Sequence, residues 1–310
     1  MEVAADGNRG IAAIPHDAMG FGERLQTEMG DRPVKQKSIL ITGCSSGIGH
    51  DAAHALQERG WRVFASCRQQ KDCDRLTSEG LESFRLDYED EASIPVAVEQ
   101  VLDRTGGTLD ALFNNGAYAI PGAVEDLPRD ALRAIFEANL FGWTDLTNRI
   151  LPIMRKQGHG RIVQCSSVLG FIPMKWRGAY VATKYALEGL TDTMRLELWD
   201  AGIRVVLIEP GPIDTRFRIN ARTHFEKWID WEHSALADKY RDALRKRLYS
   251  EELKPDRFEL PPSAVTAKLI RALESRDPKP RYYVTTPTYV AGALRRFLPT
   301  RLSDRILARG

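Results

Sequence analysis

Cysteine is scarce and unpaired: Cys44, Cys67, Cys73 and Cys165 are the 4 in the chain, and none stands in the Cys-x-x-Cys spacing of a redox or zinc motif. Isolated thiols of this kind fit small packing residues in a reducing compartment, so no disulfide framework is expected. No apolar run approaches the roughly 18 residues a membrane span needs, and the N-terminus lacks the basic-then-apolar order of a secretion signal. A cytoplasmic location without a transmembrane segment follows as an expectation. Excess charge of either sign is also missing, with Lys+Arg 44 against Asp+Glu 42. Without a net field nothing draws the chain to nucleic acid. Of the 6 histidines, His50 and His54 have ligand-like spacing, but no third ligand motif stands beside them in the sequence, so no metal site is expected.

What is present is an α/β pattern. At 310 residues the chain is long enough for a full core in one domain. Residues 1–36 mix Gly, Asp, Pro and Ala without periodicity and read as an extension with no assigned function. From Ser38 onward, short apolar strands alternate with helical stretches. This predicts a doubly wound parallel sheet covered on both faces, with ligands at the carboxyl ends of the strands.

Polar motifs fall at those ends. Ser38 to Thr42 is a strand, and Gly43-Cys44-Ser45-Ser46-Gly47-Ile48-Gly49 turns from it into a helix over His50 to Arg59. Glycines let backbone amides approach an anion, and the helix N-terminus adds partial positive charge, so a pyrophosphate suits the turn. The spacing is G-x-x-x-G-x-G rather than the general G-x-G-x-x-G. The next strand ends at Cys67-Arg68, with a guanidinium where readers of NAD place a carboxylate; this favours NADP, with a solvated surface charge as the alternative. Asp87, ending a strand over Phe84 to Asp87, is placed either to meet an adenine amino group or to cap a helix beginning near Glu91. Asn114-Asn115-Gly116-Ala117 ends the strand over Leu109 to Phe113, either to tie strand ends and admit the cofactor or as a plain Asx turn.

A long amphipathic helix is expected over Arg129 to Met154. Asn139 lies on its apolar face, as a structural hydrogen-bond bridge or a member of a polar relay. The run Arg161 to Ser167 is a strand ending in hydroxyls. The sixth strand, Ile203 to Ile208, ends in Pro210-Gly211-Pro212-Ile213-Asp214-Thr215. Tyr180 and Lys184 lie four apart on a helix from Ala179 to Trp199, so an ammonium neighbours a phenol that would otherwise ionise near pH ~10. Positive charge favours the phenolate and makes Tyr180 a candidate acid or base. Alone, such a pair is also an ordinary helix face.

Together, Thr42-Gly43 through Gly49, Asn114 to Ala117, Asn139, Ser167, Tyr180 and Lys184 resemble the short-chain dehydrogenase/reductase family over roughly residues 37–296. Asn-Asn-Gly-Ala in place of the commoner Asn-Asn-Ala-Gly, with the C-terminal Pro280-Arg281-Tyr282, is similar to the branch containing 17β-hydroxysteroid and retinol dehydrogenases. The resemblance implies a single Rossmann-type domain over 37–287, with a helical lid about 216–262 after the sixth strand and a tail over 288–310. It implies Tyr180 as the acid/base, Lys184 lowering the phenol pKa and holding the nicotinamide ribose, and Ser167 bonding the substrate oxygen. Asn139 would hold a water linking Lys184 to solvent. The cofactor would lie on Gly43, Ser45, Ser46, Gly47, Ile48, Arg68, Asp87, Asn114 and Gly116, then on Tyr180, Lys184, Pro210, Gly211, Ile213 and Thr215.

The expected activity is hydride transfer between NADP(H) and a hydrophobic ketone, aldehyde or secondary alcohol. A non-catalytic NADP-sensing module and an NAD-dependent alcohol dehydrogenase are the alternatives, though a sensor would have no use for Ser167. Substrate choice is expected from Tyr118 and Ile120, from Met174 and Trp176, and from Phe217, Phe225, Trp228 and Trp231, the last group as a lid or as core. The tail spaces apolar groups among Arg295, Arg296, Arg301, Arg305 and Arg309, which suits peripheral membrane contact, a neighbouring subunit or its own domain. The resemblance implies pairing through the Tyr180 helix and the long helix before it, as a homodimer or homotetramer, with a monomer whose tail from Thr288 covers the same surface as the alternative.

Overall fold

The computed structural model describes residues 36–250 and 256–308. Of the extension expected over 1–36 only Gln36 is among them; residues 251–255 of the expected lid and Arg309 of the tail also lie outside the described residues. Seven strands form one parallel sheet: β1 Ser38–Thr42, β2 Arg62–Cys67, β3 Glu82–Arg85, β4 Ala111–Asn114, β5 Gly160–Cys165, β6 Ile203–Glu209 and β7 Arg281–Tyr283. Their spatial order is β3-β2-β1-β4-β5-β6-β7, so the chain winds outward in both directions from β1. Ile41 registers with Ala65 on one side and Phe113 on the other, and all three are fully buried, as strands covered on both faces must be. β7 was not expected. Three residues are too few to show a period, and it exists because Leu207, Ile208 and Glu209 of β6 offer it a partner.

The expected long helix is continuous but not uniform. Arg129–Phe136 and Gly142–Gln157 are α-helical, and Glu137–Phe141 between them is a π turn centred on Asn139. Beyond β6, Phe217–Trp228 and a second helical stretch, Ala237–Lys239 with Tyr240–Arg245 and Lys246–Leu248, form the segment expected as a lid. Phe225 and Tyr240 are buried there in a second apolar cluster with Ile120, Ile135 and Tyr180. Tyr240 Oη donates to Asp126 Oδ2 (2.7 Å) and accepts from Ala123 N (2.7 Å). The aromatic-rich insertion is therefore core along one side and cleft wall along the other.

The tail folds as helices Thr286–Phe297 and Thr300–Leu307. It packs on its own domain: the Arg295 guanidinium donates to the Phe171 carbonyl and Lys175 Nζ to that of Ala308. The first of these helices starts at Thr286, and Thr285 and Thr288 are buried beside Gly211.

Candidate active site

β1 delivers the chain into a turn that requires glycine. Gly43 has φ +70° and its Cβ would stand 2.5 Å from Gly116 Cα, while a Cβ on Gly49 would stand 2.4 Å from the Gly43 carbonyl oxygen. Asn115 Nδ2 donates to the Thr42 carbonyl (3.0 Å), and Thr42 Oγ1 accepts from Asn115 N (2.9 Å), which clamps the end of β4 to the turn. The helix Gly47–Glu58 starts after Ser46, whose side chain forms no capping bond, so its first amides have no side-chain acceptor. Ser45, Ser46, Gly47 and Ile48 line a cleft of about 1690 Å³ that continues past β4 and β5 to Tyr180. The close glycine approach and the uncapped helix N-terminus fit a dinucleotide pyrophosphate, and the volume exceeds the roughly 300–1,000 Å³ of an ordinary small-molecule pocket.

At the end of β2, Arg68 is exposed in the cleft wall and forms no salt bridge among the described residues. Lys71, one helical turn on, lines the same region and was missed from the sequence, where it reads as one more surface lysine. Asp87 also lines the cleft. Its Oδ1 accepts from Glu89 N (3.2 Å), and the following helix starts at Ser93, so the helix-capping alternative does not hold. Gly116, Gly211, Pro210, Ile213 and Thr215 complete the wall.

Asn114 is a correction. It is fully buried and absent from the cleft wall, with Oδ1 accepting from Tyr88 Oη (2.8 Å) and Nδ2 donating to Thr147 Oγ1 (3.0 Å). The amide ties β4 to the chain after β3 and to the long helix, and Asn115 takes the place at the surface.

Tyr180 and Lys184 are both buried on the helix Gly178–Glu197, and both line the cleft with Ser167. Ser167 Oγ accepts from Leu169 N (3.1 Å), which fixes the hydroxyl at the end of β5. Lys184 Nζ donates to the Cys165 carbonyl (2.8 Å) and lies 4.2 Å from the centroid of Trp143. Trp143 is a site residue that sequence reading missed; its helical spacing of four from Asn139 was the available signal. Its indole N–H donates to the Gly116 carbonyl (2.9 Å), joining the Lys184 pocket to the Asn-Asn-Gly-Ala turn.

Burial holds the Tyr180 phenol above its ordinary value; the nearby Cys165 thiol adds to the shift and the hydrogen bond with Ser167 only opposes it. Lys184 Nζ lies 5.6 Å from the centroid of the Tyr180 ring, and burial lowers its own pKa to about 8. Asn139 makes the bridge: Oδ1 accepts from Tyr118 N (3.1 Å), and Nδ2 donates to the Tyr118 carbonyl (2.8 Å) and Thr183 Oγ1 (3.3 Å). The π turn swings Asn139 into this position, a common use of such turns at sites.

Of the residues expected to select substrate, Tyr118, Met174, Trp176 and Phe217 line the cleft; Ile120, Phe225, Trp228 and Trp231 do not. Phe217 packs edge-on against Tyr180, with ring centroids 5.4 Å apart. His224, unremarked in the sequence, stacks on Tyr118 at 3.7 Å. Away from the cleft, Glu79 supplies the group that the His50 and His54 spacing lacks: both Nε2 atoms lie 2.9 Å from its Oε2. These bonds and Arg75 hold the Glu79 carboxyl at about 2 and tie two neighbouring helices.

Comparison with known proteins agrees with this geometry. The family model for short chain dehydrogenases matches residues 37–225. An uncharacterized oxidoreductase, YbbO, of Escherichia coli (strain K12) is 41% identical over 91% of this chain and 97% of its own. The 17-beta-hydroxysteroid dehydrogenase type 6 of Rattus norvegicus is 32% identical over 88% of each chain. The solved structure of an actinorhodin polyketide ketoreductase variant with NADPH has 26% identity and a TM-score of 0.66 over 80% of this chain and 95% of its own.

Proposed function

The chain belongs to the short-chain dehydrogenase/reductase family, and on that premise we propose that it is an NADP(H)-dependent oxidoreductase acting on a ketone, aldehyde or secondary alcohol. The observation that carries the reading is one continuous cleft, which starts at the uncapped helix N-terminus after Ser46 and ends at the hydroxyls of Ser167 and Tyr180 with Lys184. Ser45 to Ile48 would hold the pyrophosphate, Arg68 and Lys71 a 2′-phosphate, and Lys184 the nicotinamide ribose. When bound, NADPH supplies a hydride for a carbonyl carbon. Tyr180 donates its phenolic proton to the carbonyl oxygen as negative charge develops there, and Ser167 donates a hydrogen bond to the same atom.

A high phenol pKa suits the reducing direction, since Tyr180 then starts protonated. In return, Lys184 must stay charged to stabilise the phenolate left behind, and its cation–π contact with Trp143 favours that form. Asn139, held by Tyr118 and Thr183, would keep a water in line between Lys184 and solvent so that the proton is replaced. The ketoreductase solved with NADPH supports the cofactor choice. Absorbance of NADPH and NADH over a panel of ketones and aldehydes tests the reading: consumption of NADPH in preference to NADH supports it, and no consumption of either with any carbonyl overturns it.

A further inference from the structure

The cleft beyond Tyr180 is not uniformly apolar. Arg177, one helical turn before Tyr180, lines it together with Arg218 and Arg247. Arg177 is the residue from which the Tyr180 helix starts, and both side chains line the same cleft. Arg218 follows Phe217, the ring packed on Tyr180. Three guanidiniums thus gather where the substrate must lie.

Their charges are not balanced. Asp256 is shared between Arg218 (2.8 Å) and Arg247 (3.0 Å). Glu259, also in the wall, accepts from the Asp256 backbone amide. Arg177 pairs with no carboxylate among the described residues, and its side chain donates to the Trp176 carbonyl at 3.2 Å. Enclosure lowers its pKa to about 10; the like charges of Arg247 and Arg218 act in the same direction and Asp256 opposes them. A guanidinium stays charged even so, and an enclosed cation without an anion is costly unless something else fills that role.

Apolar groups line the same cleft: Met174, Leu244, Val290, Leu294 and Leu307. We propose that the substrate is an amphiphilic carbonyl compound whose acidic head is held by Arg177 and Arg218 while its hydrocarbon body lies against the apolar wall. The proposal rests on the carbonyl oxidoreductase reading and narrows its substrate class. Arg177 supplies the free donors, and Arg218, already fixed by Asp256, supplies the second contact. A purely hydrophobic ketone would leave the Arg177 donors against apolar surface, with Asp256, already shared by Arg218 and Arg247, as the anion acting on it.

The test uses the full chain saturated with NADP⁺ and two probes of equal length, octanoate and octanamide, titrated by calorimetry. A charge-assisted contact of this kind corresponds to about ten- to a hundred-fold in affinity, so octanoate should bind that much more tightly than octanamide. The preference should collapse in Arg177→Gln and in Arg218→Gln, and return in part in Arg177→Lys. Two independent variants guard against one that fails to fold. Equal affinities in the wild type, no binding of octanoate, or variants that weaken both probes alike would overturn the proposal. NADPH consumption with aliphatic keto acids and their methyl esters separates the two readings. Octanoate preference without turnover of either class leaves the anion site standing and removes the reductase; reduction of the esters without octanoate preference does the reverse.

Discussion

Lys184 Nζ sits 4.2 Å from the centroid of the Trp143 ring. Both side chains are fully buried, and the ammonium, whose pKa is lowered to about 8 by desolvation, is held charged against an apolar surround by an aromatic face. Burial sets the pH at which Lys184 loses its charge, and the aromatic face favours the charged form. NADPH affinity in the wild type should fall as pH rises through about 8, because Lys184 releases its proton there. Trp143→Phe offers a weaker face and loses the bond to the Gly116 carbonyl, so its fall should begin at lower pH. Fluorescence titrations of NADPH across pH check this; superimposable profiles would mean that Trp143 only fills space.

Tyr180→Phe keeps the ring that packs against Phe217 and removes the proton donor. Turnover should drop by at least about 10²-fold, the low end for a positioned acid, while NADPH binding stays within a few-fold. Steady-state rates on a confirmed substrate, with a parallel cofactor titration, decide it. Near wild-type turnover would remove Tyr180 from the proton path.

Arg68→Asp should weaken NADPH by about ten- to a hundred-fold and narrow or reverse the preference over NADH. Lys71, exposed in the same wall, is expected to keep part of the 2′-phosphate affinity, so Lys71→Asp should give a smaller change and the double variant a larger one. Unchanged ratios for both cofactors would return Arg68 to the role of a surface charge.

Glu209 is fully buried at the end of β6, where it meets Glu188 around the Arg281 guanidinium; Asp192 takes the other nitrogen at 2.5 Å. Burial and the Glu188 charge push the Glu209 carboxyl up to about 8. A raised acid is protonated in the folded chain where the unfolded chain has already released the proton. Its contribution is therefore complete below the ordinary value of 4.5 and is lost as pH rises toward about 8. Denaturation midpoints should decline over that window in the wild type and flatten in Glu209→Gln. A parallel decline in the variant would place the titrating group elsewhere.

Trp199 and Leu196, at the end of the Tyr180 helix, are 77% and 70% exposed, and Phe141 of the preceding helix is 51% exposed. Apolar groups on these two helices suit a homodimer of the kind the family resemblance implies. Light scattering should give twice or four times 34.9 kDa at micromolar concentration, and Trp199→Glu combined with Leu196→Glu should reduce the mass toward one chain. A wild-type mass of one chain would discard the dimer.

Local chemistry made most of the architecture legible. The alternation of short apolar strands with helices, the glycines of the first turn, and the placement of Ser167, Tyr180 and Lys184 all follow from chain periodicity and from steric demands that act within a few residues. Those demands hold wherever the segment sits. Tertiary contacts decided the rest: Asn114 lies behind the cleft wall while Asn115 faces it, β7 exists because β6 offers an edge, and Lys184 meets Trp143 from another helix. They also set the charge states. The phenol of Tyr180 is held high by burial against the opposing bond with Ser167, and Arg177 is enclosed beside two other guanidiniums from segments far along the chain. Desolvation and Coulomb energy depend on everything within several ångströms, and for a buried group most of that surround comes from residues distant in sequence.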